Sequence, residues 1–292
     1  LSYIGRFAPS PTGPLHAGSL VAALASYLDA RAHQGRWLIR IEDIDETRTI
    51  AGAADDIIHT LSALGMQSDE PIIWQSQRKS RYEAAFLELE NKVYPCACSR
   101  KEITDSRVSL SSDGAAIYPG TCRTGLAEGR IARAWRLRVP NAGDTLDEIE
   151  FNDRWQGPVR ESLSASVGDF VLRRADGFWA YQLAVVIDDA DQAITHVVRG
   201  ADLLESTARQ IYLQRLLNKK TPHYLHVPVI TNDRGEKLSK QTGAQALDIS
   251  QPVSTLLVAA KALELDIQAE AVNSVQSFYE AAVPSWARRF GD

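Results

Sequence analysis

Apolar positions along the chain recur with two different periods, and the switches between them mark out its elements. Residues 3–8 (Tyr-Ile-Gly-Arg-Phe-Ala) are short and β-leaning, and Pro9 and Pro11 end any strand there. From Ser19 the residues Leu20, Ala23, Leu24, Tyr27 and Leu28 fall at helical spacing. Trp37-Leu38-Ile39-Arg40-Ile41-Glu42-Asp43 reads as a second strand that ends in acid groups. Ile57, Ile58, Leu61 and Leu64 form a second helical stripe, stopped by Gly65. A long helix over about 77–91 follows, with Ser76 as its N-cap. Alternating strands and helices of this kind predict an α/β fold built on a doubly wound parallel sheet.

Pro95 opens a different texture that lasts to about residue 165: three cysteines, loops, and short strands such as Ala134–Val139 and Glu148–Asn152. This region is expected to be a subdomain inserted into a main domain spanning residues 1–242. The main fold is expected to resume with strands at Phe170–Arg173, Trp179–Ile187 and His196–Arg199, then a helix capped by Ser206. Residues 243–292 read as a short helical tail, with Leu256, Leu257, Ala260 and Leu263 as the clearest stripe.

Composition narrows the picture. A chain of 292 residues has ample length for a real core. Its net charge of −5 argues against broad non-specific nucleic-acid binding. Any RNA contact has to come from a local patch, and the stretch Arg130–Arg138, with four arginines, is the candidate. No apolar run approaches the ~18 residues of a membrane span, and no signal-like start is visible, so a cytoplasmic protein is expected, as a monomer.

Two segments carry candidate chemistry. Arg6-Phe7-Ala8-Pro9-Ser10-Pro11-Thr12-Gly13-Pro14-Leu15-His16-Ala17-Gly18-Ser19 runs from a strand through a Pro/Gly loop into a helix. That arrangement puts His16 and Gly18 at a helix mouth, where unpaired backbone N–H groups favour phosphate. Lys237-Leu238-Ser239-Lys240-Gln241 brings two lysines that can neutralise phosphates, just after the turn Asn232-Asp233-Arg234-Gly235. Further candidates gather at strand ends, where ligands of doubly wound sheets sit: Arg6, Glu42, Tyr181 and Arg199. Together they describe a pocket for an acidic amino acid, with arginine and tyrosine on a side-chain carboxylate and Glu42 on an α-ammonium. Cys96, Cys98 and Cys122 suit a soft tetrahedral metal such as zinc, but no histidine between them offers a fourth ligand, so three inert thiols stay an open alternative.

The two segments resemble, in diverged form, the paired ATP-binding motifs of class I aminoacyl-tRNA synthetases. Arg40-Ile41-Glu42-Asp43-Ile44-Asp45 and Arg199-Gly200-Ala201-Asp202-Leu203 extend the resemblance toward the glutamyl-tRNA synthetases over nearly the whole length. The resemblance implies a Rossmann-like catalytic domain with catalytic roles for His16, Gly18, Lys237 and Lys240. It implies ATP held by His16, Gly18 and Lys240, with Mg2+ alongside. Glutamate would be held by Arg6, Ala8, Ser10, Glu42, Tyr181 and Arg199. It also implies a structural Zn2+ on Cys96, Cys98, Tyr118 and Cys122, because some members carry a tyrosine four residues before the last cysteine. The chain stops where a full synthetase would begin its anticodon-binding domain. It therefore looks most like a truncated branch of the family that loads glutamate onto queuosine in the tRNA(Asp) anticodon. The alternatives are a minimal enzyme charging a tRNA 3′ end and an inactive tRNA-binding paralogue.

Overall fold

The computed structural model describes residues 2–105, 117–230 and 246–291. Strand β1 (Ile4–Phe7) leads through helix α1 (Ala17–Ala32) to β2 (Arg36–Ile41), and helix α2 (Ala53–Ala63) leads on to β3 (Ile73–Trp74). These three strands are parallel, in the order β1-β2-β3. On the other side of β1 lies β9 (His196–Gly200), joined to it where Thr195 N–H donates to Ile4 O at 2.9 Å and Ile4 N–H to Thr195 Oγ1 at 2.8 Å. Helix α6 (Ser206–Leu216) connects β9 to the parallel strand β10 (His223–Val227). Beyond β10 comes β6 (Glu148–Asp153), parallel to it, and then β7 (Gly157–Ser162), antiparallel to β6. The chain thus winds outward in both directions from the seam between β1 and β9, which makes that seam the switch point of a doubly wound sheet.

Side chains alternate across this sheet, as the pleat demands. Phe7, Trp37, Ile39, Ile41, Val198, Leu225 and Val227 enter one core with α1, α2, α7 (Pro252–Ala262) and α8 (Val275–Phe290). Ile4, Leu38, Val197 and Tyr224 enter the other, with α3 (Lys79–Glu88), α5 (Tyr181–Asp191) and α6. The helical segment expected after residue 243 packs directly onto α1: Leu256, Leu263, Phe278, Ala282 and Trp286 are fully buried.

Several elements differ from the expectation. Trp179–Ile187 reads as a strand because it is a short apolar run rich in β-branched and aromatic residues. Only Trp179 keeps a β-bridge, to Arg173; from Tyr181 onward the segment is the start of α5, which is buried all round from Leu183 to Asp189 and so shows no amphipathic stripe. Ser206 is the first residue of α6 rather than its cap, which is Glu205, without a side-chain bond. The helix expected over 77–91 is broken into a 3₁₀ turn at Gln75–Arg78 and the shorter α3. Ser76 bonds Asp43 instead of capping, with its N–H at 2.8 Å and its hydroxyl at 2.6 Å. Phe170–Arg173 (β8) lies not in the parallel sheet but antiparallel to β5 (Ala134–Leu137), which in turn pairs with β4 (Val93–Cys96).

One buried carboxylate ties the ends of the chain together. Asp29 of α1 is fully buried and accepts from Tyr3 Oη at 2.6 Å, from Arg154 Nη1 at 2.6 Å and Nη2 at 3.0 Å, and from Trp286 Nε1 at 2.8 Å. Replacing it by alanine takes the carboxylate away from the part-buried Arg154 guanidinium and from two buried donors, Tyr3 Oη and Trp286 Nε1. Asp29→Ala is predicted to cost ~3–5 kcal/mol of stability. Urea unfolding checks this, and a loss under ~1 kcal/mol would show that Asp29 is not the tie the geometry suggests.

Candidate active site and metal centre

The carboxyl ends of β1, β9 and β10 open onto one cavity of about 890 Å³ at the switch point. β1 contributes Arg6 and Phe7, α5 its first residue Tyr181, and β9 Val198, Arg199 and Gly200. The loop from Ala8 to His16 and the first turn of α1, with Gly18 and Ser19, form one wall; Val227 to Ile230 form another. The loop takes its shape from Pro9, Pro11 and Pro14 and from Gly13, whose φ of 135° is closed to residues with side chains.

His16 is the N-cap of α1. Its Nδ1 accepts from the Ser19 N–H at 3.4 Å and its Nε2 meets Ser19 Oγ at 3.1 Å. No acidic residue occupies the first turn of α1, so the positive end of the helix faces the cavity uncompensated from within. Lys237 and Lys240 lie outside the described residues. The chain on either side of them is anchored at the cavity: Val229 and Ile230 line it, and Ala246 forms a bridge with His16 while Leu247 N–H donates to Leu15 O at 3.3 Å.

Beneath the cavity lies a buried layer of charge. Asp189 of α5 accepts from Arg6 Nε at 3.0 Å and Nη2 at 3.2 Å, and from Arg40 Nη1 at 2.7 Å. Arg40, with no exposed surface, also bonds Glu42 Oε1 through Nη2 at 3.1 Å and Gln192 Oε1 through Nη1 at 2.9 Å. Burial pushes the Asp189 carboxyl up, but Arg6 and Arg40 outweigh it and hold it below the ordinary carboxylate range. For Glu42 the balance goes the other way: burial raises it, and Arg40 and Arg6 offset only part of the rise.

Arg199 is held differently. Its Nε donates to His226 Nε2 at 3.0 Å, Nη2 to Thr207 Oγ1 at 3.0 Å and Nη1 to Tyr181 Oη at 3.3 Å. His226 Nδ1 in turn meets Asp153 Oδ2 at 2.6 Å. All of Arg199's direct partners are neutral, whereas Arg6 already carries a carboxylate. Of the two cavity arginines, Arg199 is therefore the better placed to take a carboxylate from a bound molecule.

Of the residues expected to hold glutamate, Arg6, Ala8, Ser10, Tyr181 and Arg199 line the same cavity, as do His16 and Gly18. Glu42 does not line it but sits in the layer below, on Arg40. Tyr181 enters from a helix N-terminus rather than from a strand. Sequence reasoning missed Asp189, Asp153, Thr207 and His226. The pair Asp188-Asp189 at the end of an apolar run was a visible signal, since acids rarely end such a run without a partner. No motif marks His226.

A second cluster lies apart from the cavity. The sulfur atoms of Cys96, Cys98 and Cys122 all lie within 4.8 Å of one another. Tyr118 Oη stands 3.5 Å from Cys96 Sγ and 3.6 Å from Cys98 Sγ, and accepts the Cys122 N–H at 2.8 Å. Sulfur atoms bound to one tetrahedral zinc at ~2.3 Å stand ~3.8 Å apart, so the four donors need only small adjustments to enclose an ion. Arg136, expected on a solvated or RNA-facing strand, instead turns inward: its Nε is 3.3 Å from Cys96 Sγ and its guanidinium lies 3.9 Å from the centre of the Tyr118 ring. Arg130 of the same stretch pairs with Glu102 at 2.8 Å and Arg138 Nη1 donates to Arg123 O at 2.6 Å, so three of the four arginines of the expected basic patch are already engaged within the protein.

The buried charge layer has a pH signature. Asp189 is held below its unfolded pKa of ~3.9, so its contribution is fully present above ~pH 4 and is lost as pH falls through the folded value. Asp189→Asn is predicted to be less stable than the wild type by ~3 kcal/mol at neutral pH, with the gap narrowing below ~pH 4. Urea midpoints at neutral and acidic pH measure this; a gap of constant size would contradict it.

Residues 4–254 match the family model for the catalytic domain of class I tRNA synthetases of the E and Q type. The chain is 64% identical over 288 residues to a protein from Janthinobacterium sp. named glutamyl-Q tRNA(Asp) synthetase, covering 99% of this chain and 98% of the relative. A protein of the same name from Verminephrobacter eiseniae is 62% identical over 288 residues, with the same coverage. Among solved structures, a glutamate-tRNA synthetase from Elizabethkingia anophelis superposes with a TM-score of 0.70 at 29% identity, over 83% of this chain. This chain spans 53% of the length of that enzyme.

Proposed function

The chain belongs to the catalytic-domain family of class I tRNA synthetases for glutamate and glutamine, and on that premise we propose that it is a ligase that activates L-glutamate with ATP and passes the glutamyl group to queuosine in the anticodon of tRNA(Asp). The observation that carries the proposal is the cavity itself. One space joins a helix N-terminus fit for phosphate, an arginine, Arg199, fit for a carboxylate, and both flanks of a segment bearing Lys237 and Lys240. Identity of 64% over nearly the full length of a relative named for glutamyl-Q tRNA(Asp) supports the choice of acceptor over a tRNA 3′ end.

In this reading a carboxylate oxygen of glutamate attacks the α-phosphorus of ATP, and pyrophosphate leaves. Charge developing on the α-phosphate of the transferring adenylyl group and on the leaving pyrophosphate is met by the α1 N-terminus, with His16 and Gly18, and by Lys237 and Lys240. Arg199 and Tyr181, with Arg6, Ala8 and Ser10 around them, hold the side-chain carboxylate, and Glu42 contributes negative charge on the side of the α-ammonium. Mg2+ accompanies the nucleotide. A hydroxyl of queuosine then attacks the carbonyl carbon of the mixed anhydride, and AMP leaves. Little bond chemistry falls to the protein itself; placement and charge do the rest.

Labelled glutamate is expected on tRNA(Asp) bearing queuosine and not on the same tRNA made without it. Equal charging of unmodified tRNA(Glu) at its 3′ end would replace this reading with that of a minimal glutamyl synthetase.

Cys96, Cys98, Tyr118 and Cys122 are proposed to hold one structural zinc, remote from the reaction. Elemental analysis should find about one zinc per chain, and the double variant Cys98→Ala/Cys122→Ala should lose it. Zinc retained in full by that variant would refute the site.

A further inference from the structure

Behind the cavity wall lie polar side chains that do not themselves line it. Asp153 and His226 are buried at 1% and 0% exposure, on the adjacent strands β6 and β10, and Arg199 follows on β9 at 5%. Across three strands these side chains form one chain of hydrogen bonds: Asp153 Oδ2 to His226 Nδ1 at 2.6 Å, then His226 Nε2 to Arg199 Nε at 3.0 Å. A guanidinium nitrogen can only donate, so the His226 nitrogen facing Arg199 has to be a bare acceptor. A carboxylate can only accept, so the other nitrogen has to carry the proton. The two neighbours thus fix the imidazole as the Nδ1–H tautomer from opposite sides.

That choice matters for Arg199. Nε and Nη2 form one edge of the guanidinium, and His226 with Thr207 occupies it. The remaining edge, between Nη1 and Nη2, where Nη1 also meets Tyr181 Oη at 3.3 Å, is the one a carboxylate grips with two parallel bonds. We infer that His226, oriented by Asp153, is a positioning residue for substrate: it locks the inner edge of Arg199 so that the outer edge is presented to a carboxylate in the cavity. The inference rests on the reading that Arg199 receives the glutamate side chain.

The groups facing His226 are Asp153 from β6, Arg199 from β9, Thr207 from α6, whose Oγ1 lies 3.3 Å from Nε2, Arg6 from β1 and the Tyr224 ring of its own strand, stacked at 6.0 Å. Burial pushes its pKa down, Asp153 pulls it up, and Arg199 and Arg6 push it down again; the balance is below the ordinary histidine value. That direction favours the neutral imidazole that the bond from Arg199 requires.

Pyrophosphate–ATP exchange with the full chain, in the presence of tRNA(Asp), tests the assignment. His226→Leu should raise the KM for glutamate at least ~10-fold, with kcat and the KM for ATP changed less than ~3-fold. His226→Gln, whose amide oxygen restores an acceptor, should return the glutamate KM to within ~3-fold of the wild type. If the leucine variant does not fold, Asp153→Asn should raise the glutamate KM with the same indifference to ATP. A 15N spectrum of the wild type should show His226 protonated at Nδ1 and bare at Nε2. Unchanged glutamate KM, equal losses toward ATP and glutamate, a glutamine variant no better than leucine, or a proton on Nε2 would each overturn the inference. A wild type without glutamate-dependent exchange would instead sink the reading of the cavity.

Discussion

Two buried guanidinium groups, those of Arg6 and Arg40, converge on the one carboxylate of Asp189, and the working end of the sheet is assembled around that meeting point. Neither arginine is stable in a closed interior without a negative partner, since desolvation of an unpaired ion costs several kcal/mol. Asp189 can serve both because α5 ends directly behind β1 and β2, so its last turn faces the two strands together. The register of β1 against β2 and the seat of α5 are thus coupled through a polar contact as well as through apolar packing. Such pairs are less a source of net stability than a means of admitting a single arrangement, and here the arrangement sets the floor of the cavity.

This coupling also redistributes the charge a ligand meets. Both cavity arginines look equivalent in the sequence, each at a strand end. In the fold, Arg6 is largely neutralised from behind while Arg199 is surrounded by an imidazole, a hydroxyl and a phenol. The cavity therefore offers one strongly unmatched positive group rather than two, and its field is directed instead of diffuse. The zinc-type cluster is built differently: three sulfurs and a phenol oxygen come together, and Arg136 turns inward to bond the Cys96 sulfur and lie on the Tyr118 ring.

The pattern of apolar positions was enough to read β1, α1, β2 and α2 in order, because the two strands are short apolar runs bounded by turn residues and the two helices keep a helical apolar spacing. It failed at α5, where every residue from Leu183 to Asp189 is buried and no period survives. The residues of the cavity that lie next to motif glycines and prolines were legible, since the loop around Gly13 and the helix mouth at His16 leave a local signature. Those that act from one strand away were not. Asp189, Asp153 and His226 owe their importance to strands that neighbour each other only after the sheet is wound, 183 positions apart for Arg6 and Asp189. Tyr118 was recoverable from resemblance alone; Arg136 was read as surface because a charged residue on a short strand usually is.

The bond between Asp29 and Trp286 spans 257 positions, and that span has a consequence for how the chain is made. At ~5–20 residues per second, a ribosome delivers Trp286 on the order of tens of seconds after Asp29. For all of that time the α1 face that receives Phe278, Ala282 and Trp286 has nothing to cover it. The nascent chain can wind its first strands and helices early, yet one flank of its sheet stays bare and adhesive until α8 has been made. A chaperone that screens apolar helices at the exit tunnel would find its target in the first thirty-odd residues, long before the helix that finally displaces it exists.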